Sequence, residues 1–350
     1  MEMDNLISAV DDALDVENSD RTTLLNIYTN SWKDSQVISE REKAEAFIIS
    51  ESFEVLENEN MSEEKTKLFQ RPWYEKFVTL ALYIEFWGHT LAEFQEQDEN
   101  GEFVDVKVFP RRHVRPFEKL LVIQPGDREG ISYDGHETEY FLLELGDPEN
   151  LGKLETISKE VIWKTFARSD WSEFNERFGK PFLEIATDAE SDAELDEKDA
   201  MMANSGANLR MTHNKGDEFT VHQIGASDPG NNFRSKAEFC DDQIAKLMNG
   251  QTGTGDQKSF VGAAEVHERI LSKFNKARLL RIQHIVNYKL IPFLIAHGYP
   301  LENCRIEYLR LRDNEDGAQD PGDPDPDDGP RHGFFGKKKA LTLPSWVLSM

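Results

Sequence analysis

A glycine- and threonine-rich segment, Gly250-Gln-Thr-Gly-Thr-Gly255, has the composition of a loop that binds phosphate through its backbone N–H groups. A P-loop has Gly, four residues and then Gly-Lys-Ser/Thr after a buried strand. Here Asp256 follows Gly255, and the preceding pattern predicts a helix. A carboxylate in place of the phosphate-binding lysine repels the ligand, and the third glycine of a dinucleotide fingerprint is missing. The segment is predicted to be a polar loop, with a nucleotide-dependent enzyme as a remote alternative.

Metal and nucleophile chemistry find equally little support in the sequence. Three aspartates alternate as calcium ligands do, but prolines lie between them and no glutamate follows at the EF-hand distance. The histidines form no HExxH motif, the serines no GxSxG elbow, and the two cysteines are lone thiols. We therefore expect no catalytic residue, no metal and no cofactor. The aspartates are Asp323, Asp325 and Asp327.

Composition and charge restrict the class of protein further. The chain has 350 residues, of which 38% are hydrophobic, so it can build a core and should form two or three substructures. Its formal net charge of −26 is unsuited to holding nucleic acid by neutralising phosphates. The acidic N-terminus does not have the pattern of a signal peptide, and no apolar run is long enough to span a bilayer. A soluble chain in a reducing compartment is expected.

The first half of the chain predicts an α+β unit. Residues 1–20 are acidic and are expected to be disordered, whereas residues 34–56 favour a helix. Residues 72–89 have the clearest amphipathic pattern, with large apolar side chains at helical spacing. Four short runs separated by glycine and proline then predict antiparallel strands at residues 90–95, 103–109, 120–124 and 140–145.

The second half is mainly helical. Helices are predicted at residues 156–178 and 234–249, and a long one runs from 260 to 296 with a kink at Pro292. The segment between the first two helices predicts a strand and a hairpin, and a last strand is expected at 305–312. The fold class is therefore α+β, mainly helical with small antiparallel sheets. The short strands of this segment lie at 182–187, 208–212 and 218–224, and an acidic Pro/Asp linker follows at 313–330.

Three groups of motifs carry a resemblance to a known family. The first is Arg71-Pro72-Trp73 through Gly88. The second is Asp170-Trp171-Ser-Glu-Phe174, followed by Phe178-Gly179-Lys-Pro181. The third is Gln243-Ile244-Ala-Lys-Leu, followed by Gly250-Gln251-Thr252 and then His267. Over about residues 20–300 the chain resembles the Mu-type bacteriophage portal proteins, ring subunits at one capsid vertex through which DNA is packaged and ejected.

The resemblance implies a portal fold with wing, stem, clip and tunnel parts. It implies that the clip packs against the next subunit, that a tunnel loop faces DNA, and that the motif residues above have structural roles. The predicted channel residues are Thr252, Gly253, Thr254, Gly255, Asp256, Gln257 and Lys258. The predicted parts are a wing (21–155), a stem helix (156–179), a clip (180–233), a returning stem helix (234–249), a tunnel loop (250–262), a long helix (263–298) and a wing strand (299–312).

The function implied by the resemblance is that of a non-enzymatic subunit in a dodecameric ring. The implied partners are further copies of the chain, the large subunit of terminase, head–tail adaptor proteins, the major capsid or scaffold protein, and DNA held weakly in transit. The location would be the portal vertex of the virion, after assembly in the host cytoplasm, without a membrane. Relatives extend further past the long helix, so residues 313–350 have no assignment. An acidic scaffold or adaptor that forms no channel is the alternative.

Overall fold

The computed structural model describes a mainly helical α+β protein with small sheets, which confirms the predicted fold class. Most strand pairs among the described residues are antiparallel, and one is parallel. The described residues are 2–178, 183–187, 191–194, 196–197, 200, 210–214, 229–250 and 261–312.

The helices of the first half surround α5, the predicted amphipathic helix. Pro72 occupies its first turn, where a missing N–H costs nothing, and Gly88 follows its end with φ +76°. A Cβ on Gly88 would lie 1.8 Å from the Asn150 carbonyl oxygen, so only glycine fits there. Phe77 and Phe86 on α5 are fully buried. The helices are α1 (Glu2–Leu14), α2 (Thr22–Ser31), α3 (Ser35–Ser50), α4 (Glu63–Phe69) and α5 (Pro72–Trp87).

Strands fall near all four runs predicted between residues 90 and 145. They form sheets in the orders β4–β3–β8 and β5–β6–β7. The first sheet packs against α5, and the second packs against β3 and β8 through a small core of Leu91, Val114, Tyr133 and Leu142. The strands are β1 (Phe53–Glu57), β2 (Asn60–Met61), β3 (His89–Gln97), β4 (Phe103–Val108), β5 (Val114–Arg115), β6 (Leu120–Leu121), β7 (Ile131–Ser132), β8 (Leu142–Gly146), β9 (Leu183–Thr187), β10 (Arg210–Asn214) and β11 (Cys304–Tyr308).

The helix predicted at residues 34–56 is too long. It ends at Ser50, and β1 follows, because Phe53 to Glu57 pair antiparallel with β11 from Tyr308 to Cys304. Burial of Val55 and Ile306 stabilises this pairing of segments that are distant in the sequence. The final strand is shorter than predicted, since a helical turn, α10 (Leu309–Arg312), follows β11.

The prediction that residues 1–20 are disordered is wrong. Residues 2–14 form α1, whose Leu6, Ala9 and Ala13 lie on one face and are buried against α2 and α6. The acidic side chains of this segment lie mainly on the opposite, exposed face. Ser19 then donates a hydrogen bond of 3.0 Å to the Ala13 carbonyl oxygen and fastens the turn after α1.

The helices of the second half are α6 (Leu154–Phe178), α7 (Pro229–Asn249), α8 (Val261–Ile285) and α9 (Ile291–Ala296). α6 and α7 pack antiparallel, with Phe174 near Phe233 and Lys164 near Asp241. β9 pairs in parallel with β10, and the predicted hairpin partner at 218–224 lies outside the described residues.

The long helix continues through the predicted kink at Pro292. A π-helical turn, Val286–Leu290, joins α8 to α9 immediately before the proline. Such a turn accommodates a residue that lacks an N–H and whose ring crowds the preceding turn. Asn287 in this turn bonds both backbone groups of Ile306 on β11, and Gln283 accepts the N–H of Tyr308.

We expect Leu6→Ala to lower the free energy of unfolding by about 2–5 kcal/mol, because it removes a fully buried side chain from the face of α1. The adjacent Ile7 is 54% exposed, so Ile7→Ala should change it by less than about 0.5 kcal/mol. Denaturant unfolding followed by tryptophan fluorescence measures both. Equal effects of the two substitutions would mean that α1 does not pack on the core.

Candidate functional site: the root of the 251–260 segment

Residues 251–260 connect α7 to α8 and include all the predicted channel residues, which lie outside the described residues. The structure does describe Asn249 and Gly250, where this segment leaves α7. Gly250 has φ +74°, and its N–H donates to the Lys246 carbonyl oxygen at 2.9 Å. A Cβ on Gly250 would lie 2.9 Å from the ring of Phe274 on α8. α7 therefore ends in close contact with α8, at a residue that must be glycine.

Asn249, the last residue of α7, is buried and links two other helices. Its amide nitrogen donates to Glu40 of α3, at 2.6 Å to Oε2 and 3.2 Å to the backbone oxygen. Its amide oxygen accepts a hydrogen bond of 2.8 Å from Arg278 of α8. One side chain thus fixes the end of α7 to both α3 and α8.

Arg278 is 2% exposed and satisfies its guanidinium through several partners. Its Nε lies 2.8 Å from Glu85 Oε2 on α5, one Nη bonds Asn249 and Asn275, and the other bonds the Met248 carbonyl oxygen. The fixed fork of the guanidinium suits such convergent acceptors. We call Glu40, Glu85, Lys153, Asn249 and Arg278 the root cluster.

The root cluster contains buried charges that are paired. Burial alone would raise the pKa of Glu85, but hydrogen bonds and charge from Arg278, together with Lys153, lower it below its ordinary value. Burial lowers the pKa of Lys153, and the Glu85 carboxylate opposes this effect. Removing one member would therefore leave another buried charge without its partner, which is costly.

A second buried ion pair fixes α6 and α7 nearby. The Lys164 ammonium group on α6 lies 2.8 Å from Asp34 and 2.6 Å from Asp241 of α7. Asp34 also caps α3 by accepting the N–H groups of Gln36 and Val37. The start of α3 is thereby tied to both α6 and α7, and Glu40, further along the same helix, belongs to the root cluster.

The motif residues predicted from the sequence do not form one site. Ile244 is fully buried beneath the root, and Gly250 forms the root itself, with Gln243 half-buried on the same helix. Trp171 and Phe174 are half-buried and Asp170 is exposed near the other end of α6. Phe178 ends α6 and His267 lies on α8, but their side chains are not among those described. Gly179, Pro181, Gln251 and Thr252 lie outside the described residues.

The root cluster was not predicted. Its one signal in the sequence is Glu85, a carboxylate near the end of the apolar helix α5, since a buried acid needs a buried cation. Its partner Arg278 lies 193 residues further along the chain, beyond the reach of any local pattern. No three metal-ligating side chains converge anywhere in the described part of the chain. The arrangement thus fixes the end of α7 and the facing side of α8, between which the 251–260 segment runs.

The family model of the portal protein of Mu bacteriophage matches residues 25–320. This chain belongs to that family. No curated protein matches it. The match confirms the resemblance seen in the motifs and makes the chain a phage portal protein, in a family that is structural rather than enzymatic and forms a homo-oligomeric ring at a capsid vertex. No described helix is both long and apolar enough to span a bilayer.

A solved structure shares the fold at low sequence identity. A chain from the neck of an empty GTA particle, computed with C6 symmetry, superposes with a TM-score of 0.51 at 11% identity, covering 81% of this chain and 84% of that chain. An HK97-family phage portal protein from Corynebacterium diphtheriae gives a TM-score of 0.45 at 11% identity, covering 81% and 96%. The first similarity supports the portal fold assigned by the family match.

We expect Arg278→Met to lower the free energy of unfolding by about 3–5 kcal/mol, because it leaves Glu85 and Asn249 buried without their partner. Arg281 lies on the same helix and is exposed, so Arg281→Met should change stability by less than about 0.5 kcal/mol. Chemical denaturation of both variants measures the difference. If Arg278→Met is as stable as Arg281→Met, the root cluster does not fix the end of α7.

Proposed function

We propose that copies of this chain form a portal ring in which the 251–260 segment lines the central channel for double-stranded DNA. The observation that carries this proposal is the root cluster. It fixes both the end of α7 and the facing side of α8, so that the segment between them starts from a rigid base. A loop that meets moving DNA needs such a base to keep its position in the channel.

The stem helices carry a surface suited to contact between subunits. Trp163 and Phe166 are three residues apart on α6 and are 50% and 42% exposed, and Phe239 on α7 is 60% exposed. Lys236 places its ammonium group 4.8 Å from the centre of the Trp163 ring and joins the two helices. We call these four residues the stem patch. Aromatic side chains exposed together mark an interaction surface.

A ring closes through two different surfaces on each subunit, so the stem patch would face a different surface of its neighbour. In this assignment the unit from α1 to β8, completed by β11, is the wing, α6 and α7 are the stem, and residues 180–233 are the clip. α1 extends the wing to the N-terminal residues. The strands β9 and β10 of the clip pair in parallel, and strand edges of this kind can bind a neighbouring subunit.

The acidic character of the chain suits transport of DNA. The net charge of the chain is −26. A channel wall that repels phosphates lets the duplex slide, whereas a basic wall would hold it. The energy for packaging would come from ATP hydrolysis by the large subunit of terminase. The remaining proposed partners are head–tail adaptor proteins and the major capsid or scaffold protein, with assembly in the host cytoplasm.

We expect Trp163→Asp to prevent ring formation while leaving the subunit folded, because it places a charge in the apolar contact between neighbours. Ile123 is 83% exposed in the wing and offers a matched control, so Ile123→Asp should form rings as the unmodified chain does. Negative-stain electron microscopy and sedimentation velocity report the assembly state. Rings formed by Trp163→Asp would contradict the proposed interface. The absence of rings from the unmodified protein would contradict the ring itself.

We expect replacement of residues 252–258 by a Gly/Ser segment of equal length to leave ring assembly intact and to reduce the amount of DNA packaged or retained. The root cluster lies outside the replaced segment, so the fold and the ring contacts are preserved. Complementation of a portal-defective phage, with quantitative PCR of nuclease-protected DNA, measures the effect. Loss of the rings themselves would contradict a role confined to the channel.

A further inference from the structure

Four arginines line a small cleft between the start of α2 and the segment that leads into β5. They are Arg21, Arg111, Arg112 and Arg115, and Ser19, Asp20 and Thr22 complete the polar lining. The cleft opens at the surface and encloses ≈ 10 Å³, about the room that one oxygen atom or one water occupies. Such a concentration of positive charge is unusual in a chain whose net charge is −26. We call it the arginine cleft.

Most of this positive charge forms no ion pair in the described part of the chain. Arg115 pairs with Glu118 at 2.6 Å and donates to the carbonyl oxygens of Ser19 and Asp127. Arg21, Arg111 and Arg112 form no ion pair with any described residue. Asp20 directs its Oδ1 to the N–H of Thr22 at 2.8 Å, and the charge of Asp147 acts on Arg21 without forming an ion pair with it. The cleft therefore has an excess of cations.

Three of these cations, Arg21, Arg111 and Arg115, are also incompletely hydrogen-bonded, since each has a buried Nε without a partner. Arg21 is 8% exposed, donates to the Pro148 carbonyl oxygen and has a buried Nε without a partner. Arg111 stacks over Trp87 with its Cζ 4.2 Å from the ring centre, donates to Thr90 Oγ1 at 3.2 Å, and also has an unpartnered Nε. Burial lowers the pKa of Arg21 and lowers that of Arg111 to about 10.

The helix α2 adds to the positive character of the cleft. Arg21 is its N-cap residue, and no side chain caps the helix from that position. Thr22 and Leu25 of its first turn line the cleft. The N-terminal end of a helix carries a partial positive charge and unpaired N–H groups, so it favours a bound anion. The helix end and the arginines thus favour a ligand of the same charge.

We propose that the arginine cleft binds one oxyanion group, a phosphate or a carboxylate. One oxygen would enter the cleft and accept hydrogen bonds from Arg21 and Arg111, while the oxygens that remain outside would contact Arg112 at the rim. Guanidinium groups bind both kinds of oxyanion through short, charge-assisted hydrogen bonds. The group could come from free phosphate or from an acidic side chain of a neighbouring subunit. Only binding of the neighbouring subunit's acidic side chain depends on the proposed ring.

The first test is titration of the unassembled full chain with inorganic phosphate, by isothermal calorimetry at constant ionic strength set with chloride. We expect saturable binding with a dissociation constant below about 10 mM. Arg21→Gln and Arg112→Gln should each weaken it at least about tenfold, which corresponds to about 1.4 kcal/mol. Arg112 is exposed, so Arg112→Gln should fold normally even if Arg21→Gln fails to fold. The exposed Arg281→Gln on α8 is the control and should bind as the unmodified chain does.

The second test repeats the titration on assembled rings and identifies the source of the oxyanion. Equal binding by rings and by the unassembled chain supports a free phosphate ligand. Binding by the unassembled chain alone supports a carboxylate from the neighbouring subunit that fills the cleft on assembly. The proposal is overturned if the unassembled chain takes up no phosphate, or if Arg112→Gln and Arg21→Gln bind it as tightly as Arg281→Gln. Failure to form rings would leave the first test unaffected.

Discussion

The buried guanidinium of Arg278 is the constraint on which the rest of the structure depends. Its partners come from α5, the end of α7 and its own helix, and through Asn249 it is joined to α3. A charge in this position is stable only if all of these elements are placed together, because an unpaired buried ion costs several kcal/mol. The pair adds little net stability compared with apolar packing, but it admits only one arrangement of the helices.

Long-range packing joins the last described elements of the chain to elements of its first half. β11 pairs with β1, and the aromatic ring of Phe293 on α9 lies 4.8 Å from that of Phe94 on β3. The Tyr299 hydroxyl oxygen accepts a hydrogen bond from the backbone N–H of Phe103 on β4. The C-terminal part of the long helical segment is therefore joined to β3 and β4 by packed side chains, and α8 is joined to α5 and α7 by the root cluster.

The sequence predicted the elements whose patterns are local. α5, α6 and α7 were found because apolar residues recur at helical spacing and because Pro72 and Gly88 mark the bounds of α5. β1 was missed because its pairing partner lies near residue 306, and its short apolar run fits a helix equally well. α1 was missed because its acidic composition conceals a narrow stripe of Leu6, Ala9 and Ala13. Composition describes the whole surface of a helix, whereas burial depends on one side of it.

The candidate site was predictable only in part for the same reason. The motifs identified the family and the Gly250 turn, since these are contiguous in the sequence. The root cluster and the arginine cleft join residues that are distant in the sequence, as Glu85 and Arg278 or Arg21 and Arg111 are. Ion pairs of this kind carry no periodic signal, and each of their members, taken alone, is indistinguishable from an ordinary surface charge.

The amide side chains that meet β11 have a consequence for how copies of the chain can associate. Asn287 and Gln283 occupy the backbone hydrogen-bonding positions of Ile306 and Tyr308, and β11 is the outermost strand of its sheet. Three of the four backbone hydrogen-bonding groups of these two residues are therefore already occupied, which limits pairing with a foreign strand. The end of α8 and the π-helical turn thus cover this edge of the sheet, and a foreign strand would have to displace both side chains to pair with it.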